Sequence, residues 1–115
     1  MRKLYRIKKS KEIESILRKK QSYGNKHYIL YVTKNIETNH FRLAVSVSKK
    51  LGNAVVRNKQ KRQIRSIIQG YEKNISNYNL FIIARPGVLE STHQERSIQL
   101  KRLLQKSNVW HQEEK

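Results

Sequence analysis

A chain of 115 residues with 26 Lys and Arg against 8 acidic residues carries a formal charge of +18. That length accommodates one domain with one modest core, and that charge calls for a standing anionic partner, nucleic acid ahead of an anionic membrane. Cysteine is absent, which excludes disulfides, thiolate metal sites and thiol nucleophiles; no apolar run reaches bilayer length, and the basic N-terminus lacks a signal-peptide core, so the expected location is the cytoplasm.

Residues 1–9 read as a basic arm that Leu4 and Ile7 can anchor. Ser10 reads as an N-cap, with Glu12 and Glu14 in the favourable first turn. Ile13, Ile16 and Leu17 then make an i, i+3, i+4 stripe on a short helix ending near Lys20. Gln21 to Lys26 is a turn region in which a short strand can start at Ser22 and Tyr23. His27 to Thr33 is a strand by β-branched and aromatic content. Tyr28, Leu30 and Val32 point one way, His27, Ile29, Tyr31 and Thr33 the other, and apolar residues on both sides predict a central strand. After a polar loop, Phe41 to Ser48 forms another strand. Its Phe41, Leu43, Val45 and Val47 face is apolar; its Arg42, Ala44, Ser46 and Ser48 face is small and polar.

Gly52-Asn53 supplies a turn and a helix start, and a helix runs from Ala54 to about Gly70. Leu80 to Ala84, a continuous apolar run, predicts a strand buried on both faces. Arg85-Pro86-Gly87 ends it. Thr92 and Glu95 form a capping box for a helix to about Lys106, with Leu100, Leu103 and Leu104 as its buried stripe and Ile98 off it. Residues 107–115 are expected to fray in part. Helix, strands, helix, strand and helix in this order predict a small α+β sandwich with helices packed on one sheet.

The stretch from Lys49 to Arg65 holds seven basic residues and no acidic one, and no acidic residue occurs between Thr38 and Tyr71. At 100° per residue, Val56, Ile64, Ile67, Ile68 and Tyr71 share one arc. Arg57, Lys61 and Arg65 border it at i, i+4, i+8, and Arg62 widens the basic surface. A solvated helix face usually mixes signs, because i, i+4 pairs then form. This face repels itself until a polyanion neutralises it.

Catalytic chemistry is sparse. All eight acidic residues are Glu and they are scattered, which argues against a two-metal nuclease carried by this chain. His27, His40, His93 and His111 have no ligand spacing, and the four glycines are isolated rather than cradling phosphate. The residue types fit binding instead. Arginine forks match phosphate oxygens, Asn53 and Asn58 can reach phosphate, sugar or base edges, and Tyr23, Tyr28, Tyr31 and Trp110 are candidate stacking platforms for single-stranded bases. Competing readings are a ribosomal-type or RNA-chaperone binding protein, a protein-only nuclease and a basic membrane-surface amphipath.

The spaced segment Ser46-x-Ser48-Lys49-Lys50-x-Gly52-Asn53-Ala54-Val55-x-Arg57-Asn58-x-x-Lys61-Arg62-x-x-Arg65 resembles the RNR motif of the bacterial ribonuclease P protein family. Arg6-x-Lys8-Lys9, the YILY and FIIAR strands and the leucine-bearing last helix fall in family order, so the resemblance spans nearly the whole chain, 1–115, as one domain. It implies an α-β-β-β-α-β-α two-layer fold with a left-handed β-α-β crossover carrying the basic helix. It also implies a subunit of an endoribonuclease whose catalyst is a large RNA, with Mg2+ held mainly by that RNA and no catalytic or metal-binding residue here. The implied partners are ribonuclease P RNA and precursor tRNA, with no membrane and no obligate protein partner. The RNA-binding set carried over by motif is Lys49, Lys50, Asn53, Arg57, Asn58, Lys61, Arg62 and Arg65. The implied cleft for the 5′ leader holds Ile13, Leu17, Tyr31, Ser46, Ser48 and Trp110. The family often has Phe where this chain has Ile13 and Leu17, which predicts a weaker or re-centred leader contact resting on Tyr31.

Overall fold

In the computed structural model, which describes residues 2–111, the elements follow the expected order. They are α1 (Ser10–Arg18), β1 (Ser22–Gly24), β2 (Tyr28–Lys34), β3 (Arg42–Val47), α2 (Ala54–Gly70), β4 (Tyr78–Ala84) and α3 (His93–Lys106). Single 3-10 turns at Lys3–Tyr5, Lys49–Leu51, Glu72–Asn74 and Pro86–Glu90 join them. The sheet order is β1-β2-β4-β3. β2 pairs antiparallel with β1 and β4, whereas β3 lies parallel to β4. A parallel neighbour needs a long crossover, and α2 provides it.

Alternation along the strands sorts the side chains into two cores. Tyr28, Leu30 and Val32 of β2, Leu43 and Val47 of β3, and Leu80 and Ile82 of β4 join Ile64, Ile67 and Ile68 of α2 and Leu100, Leu103 and Leu104 of α3. On the other face Ala44 and Phe81 join Ile7 and Ile16, with Ile13, Leu17, Tyr31 and Ile83 packed around them. Helices α2 and α3 thus cover one face and α1 part of the other. β4 is central and has Leu80, Phe81 and Ile82 all buried, as its unbroken apolar run requires.

Some local expectations change. Ser10 is the first residue inside α1, and the N-cap position falls on Lys9 with no side-chain cap. The N-terminal segment is no loose arm: Arg6 bridges Leu43 in parallel, and the Ile7 amide donates to the Leu43 carbonyl at 2.9 Å. That contact covers part of the outer edge of β3, an edge that otherwise presents unpaired backbone groups. Ile7 is buried, while Leu4 stays exposed. At the other end Val109 is fully buried and donates to the Leu104 carbonyl, while its own carbonyl accepts from Ser76. Residues 107–111 are therefore tied to the body, and 112–115 lie outside the described residues.

Candidate nucleic-acid interface

Three local devices set the start of α2. The Ser48 hydroxyl accepts from the Lys50 amide at 3.2 Å, and the Asn53 side chain accepts from the Val56 amide at 3.1 Å. Between them Gly52 sits at φ 145°, a conformation that side chains disfavour. The helix then buries Ile64, Ile67 and Ile68 and leaves its basic side outward. Lys49, Lys50, Asn53, Asn58 and Arg62 are exposed, while Arg57, Lys61 and Arg65 are half-buried along the border of the apolar arc. Asn53 spends its carbonyl oxygen on the cap, which leaves its amide NH2 to face a ligand.

No carboxylate answers this stripe among the described residues, whose ion pairs are Arg42–Glu12 and Arg18–Glu14. Burial, and then the neighbouring Arg6 charge, push Arg65 below the usual guanidinium range. The Nε atoms of Arg6 and Arg57 are buried without a hydrogen-bond partner among the described residues. Guanidinium groups gathered and partly desolvated without an anion are electrostatically uncompensated. Sequence reading missed Arg6 here, because only its pairing with Leu43 brings it to Arg65. The one available signal was its place in the Arg6-x-Lys8-Lys9 run.

α1 packs on the opposite sheet face, and the concavity beside it is lined by Lys11, Glu12, Thr33, Asn35, Arg42 and Asn79. Across the strands Tyr31 stands beside Phe81 and Phe81 beside Ala44; one row on, Ile29, Ile83 and Ser46 align. Ile13 and Leu17 of α1 pack against the cluster that holds Phe81 and Ala44. β4 lies between Tyr31 and the small-residue strand β3, and the Tyr31 and Phe81 rings are 6.3 Å apart. Phe81 and Ile83 are therefore additional residues of this face, hidden in the sequence inside a run that reads as uniform core. Glu12 clamps α1 to β3 through Arg42, with Oε2 2.5 Å from Nη1.

Two expected positions lie elsewhere. Ser48 is beyond β3 and serves the turn into Lys49–Leu51. Trp110 packs on the α2 and α3 core, bridges Ile75, meets the Tyr71 ring edge-on at 5.1 Å and has Lys101 over its ring at 5.2 Å. Burial of Val109 drags Trp110 to that face, away from Tyr31. Tyr28 is no stacking platform either, being fully buried, and Tyr23 is half-buried against the same core.

The model of the family Ribonuclease P matches residues 1–108. The ribonuclease P protein component of Exiguobacterium sibiricum is 40% identical over 111 residues, covering 96% of each chain. The chain belongs to the ribonuclease P protein family. The protein component of Staphylococcus aureus is 39% identical over 110 residues, again covering 96% of each chain. A solved structure of the S. aureus RNase P protein superposes with a TM-score of 0.87 at 38% identity, covering 93% of this chain and 98% of that one. The RNase P protein of Thermotoga maritima, at 24% identity and a TM-score of 0.80, shares the fold. The role of this chain is accordingly that of a ribonuclease P protein subunit, an RNA-binding component of a tRNA-processing endoribonuclease. No helix among the described residues is long and apolar enough to cross a membrane.

Proposed function

We propose that α2 anchors ribonuclease P RNA and that the cleft under α1 holds the single-stranded 5′ leader of precursor tRNA, with the RNA performing the cleavage in the cytoplasm and no obligate protein partner. The observation that carries this reading is the carboxylate-free arginine group, with Arg65 desolvated beside Arg6. A phosphate between them would relieve both the repulsion and the lost hydration. Lys49, Lys50, Asn53, Asn58, Lys61 and Arg62 extend that contact along the helix, and Arg57 offers its fork from the half-buried border. In the cleft, half-buried Tyr31 offers ring surface to bases with buried Phe81 behind it, while Ile13 and Leu17 offer apolar contact without a π-face.

Mg2+, held mainly by the RNA, supplies charge stabilisation at the scissile phosphate. Among the described residues no three His or carboxylate side chains converge. The chain's own work is positional. It neutralises phosphates, orients the leader and lowers the Mg2+ concentration at which the RNA binds its substrate. Cleavage of precursor tRNA by ribonuclease P RNA at limiting Mg2+, with and without the protein, tests this. Strong stimulation is expected, and an unchanged rate would reject the reading.

A further inference from the structure

A second concavity lies away from the cleft under α1. It measures 220 Å³ and is walled by Tyr5, His40, Phe41 and Ile75, with Glu72 and Lys73 at its rim. Three segments meet there: the N-terminal turn, the loop ahead of β3 and the turn that follows α2. Tyr5 stacks on Phe41 at 5.1 Å and meets His40 at 4.6 Å and 65°. Nδ1 of His40 is 2.8 Å from the Phe41 carbonyl oxygen. A carbonyl only accepts, so Nδ1 carries the proton and Nε2 of the neutral ring is an acceptor.

Core packing accounts for Phe41 and Ile75, which are buried. Tyr5 packs against the same core from its edge, whereas His40 stays half-exposed beside an exposed carboxylate. Glu72 forms no ion pair with a described residue, although the chain carries +18. Two carboxylate oxygens match two adjacent N–H donors. Among the RNA bases only guanine presents such a pair, N1–H beside N2–H, on its Watson–Crick edge. Adenine and cytosine place a ring acceptor next to their amino group, and uracil has one N–H between two carbonyls. Lys73 adds a donor for O6 or a phosphate, and the rings add apolar wall.

We propose that this concavity receives an unpaired guanine of ribonuclease P RNA. The proposal rests on the reading that α2 anchors that RNA, and it follows from the continuity of the surface. Glu72 opens the turn that directly follows α2, and Tyr5 of the pocket precedes Arg6, whose charge Arg65 senses, so an RNA lying on the arginine stripe runs on to the pocket. The leader cleft is on the other face of the sheet.

Probing the RNA in the assembled holoenzyme with kethoxal, which modifies guanine at N1 and N2, tests the site. Protein-dependent protection of a guanine should be lost with Glu72→Ala and weakened with Lys73→Ala, while the other protections persist. Loss of a bidentate base contact should also weaken assembly about tenfold. Both side chains are exposed, so neither variant threatens the fold. Identical protections for wild type and Glu72→Ala would overturn the proposal, as would a change confined to guanines of the precursor. Absence of any protein-dependent guanine protection with wild type would overturn the proposal alone, since kethoxal does not report phosphate contacts; failure of the anchoring reading would show instead as salt-independent binding of the RNA.

Discussion

Tyr28 and Tyr31 are three residues apart on one strand, yet parity sends them to opposite faces and to opposite fates. Tyr28 is fully buried, and its hydroxyl has no hydrogen-bond partner among the described residues. Burial pushes its pKa up to about 12, with Arg96 pulling weakly the other way. An unfolded tyrosine ionises near 10. The stability this group contributes is therefore intact below pH 10 and is lost as pH rises through 12. Between pH 8 and 11 the loss is on the order of 1 kcal/mol. Denaturant unfolding at the two pH values should show Tyr28→Phe escaping that part of the decline, and equal declines in both proteins would contradict the assignment. Tyr31 is half-buried beside Phe81. With Ile13 and Leu17 aliphatic, it is the main ring left to stack on a leader base, a contact worth roughly 1–3 kcal/mol. Affinity for precursor tRNA should rise with leader length in wild type and rise less with Tyr31→Ala. The same length dependence in both would show that the leader does not rest on Tyr31.

At the scale of elements, the turn into α2 decides where the basic stripe points. Gly52 sits at φ 145°, and a Cβ there would lie 2.9 Å from Cβ of Val56. Gly52→Ala therefore adds backbone strain and a contact, costing about 1–3 kcal/mol. Adding Val56→Ala removes the two Cγ contacts at 3.0 and 3.3 Å but keeps the Cβ contact and the backbone strain, so thermal melts should show at most slight rescue; full rescue would mean that backbone strain is not the cause. This turn was legible because caps and glycines are local chemistry. Asn53 and Thr92 each accept an amide from their own helix, from Val56 and Glu95 respectively, and both helices start where the residue types say. Strand faces were legible for the same reason: alternation is local. Sheet order was not. Nothing within β2 or β3 records that β4 will insert between them, so the neighbour of Tyr31, Phe81, could not be read from the strands themselves. Trp110 failed similarly, since its face is chosen by burial of Val109 and by a bridge to Ile75. Ser10 failed because Lys9 takes the cap position without a side-chain bond.

Across the whole molecule the excess of +18 is not spread evenly, because the few carboxylates have assigned positions. Glu12 holds Arg42, fastening α1 to the sheet, and Glu14 faces Arg18 on the helix surface. The segment from Thr38 to Tyr71 has none, and with Arg42 already paired, α2 and the turn before it present an unneutralised field that the N-terminal Arg6 strengthens. Binding through such a field releases counterions, and log affinity should fall with log salt by roughly 0.7–0.9 per phosphate engaged. Arg57→Ala, Arg62→Ala and Arg65→Ala should each flatten that slope by about one unit. Arg6→Ala should behave like Arg65→Ala, since the two charges sense one another. If they grip a single phosphate, removing both should flatten the slope by about one unit rather than two. Glu12→Gln supplies the comparison: it frees Arg42 without touching the stripe, so the slope should hold or steepen. Salt titrations of ribonuclease P RNA binding across this set would separate a shared phosphate from independent contacts. Additive flattening by Arg6→Ala and Arg65→Ala would rule out the shared site while keeping both as RNA contacts.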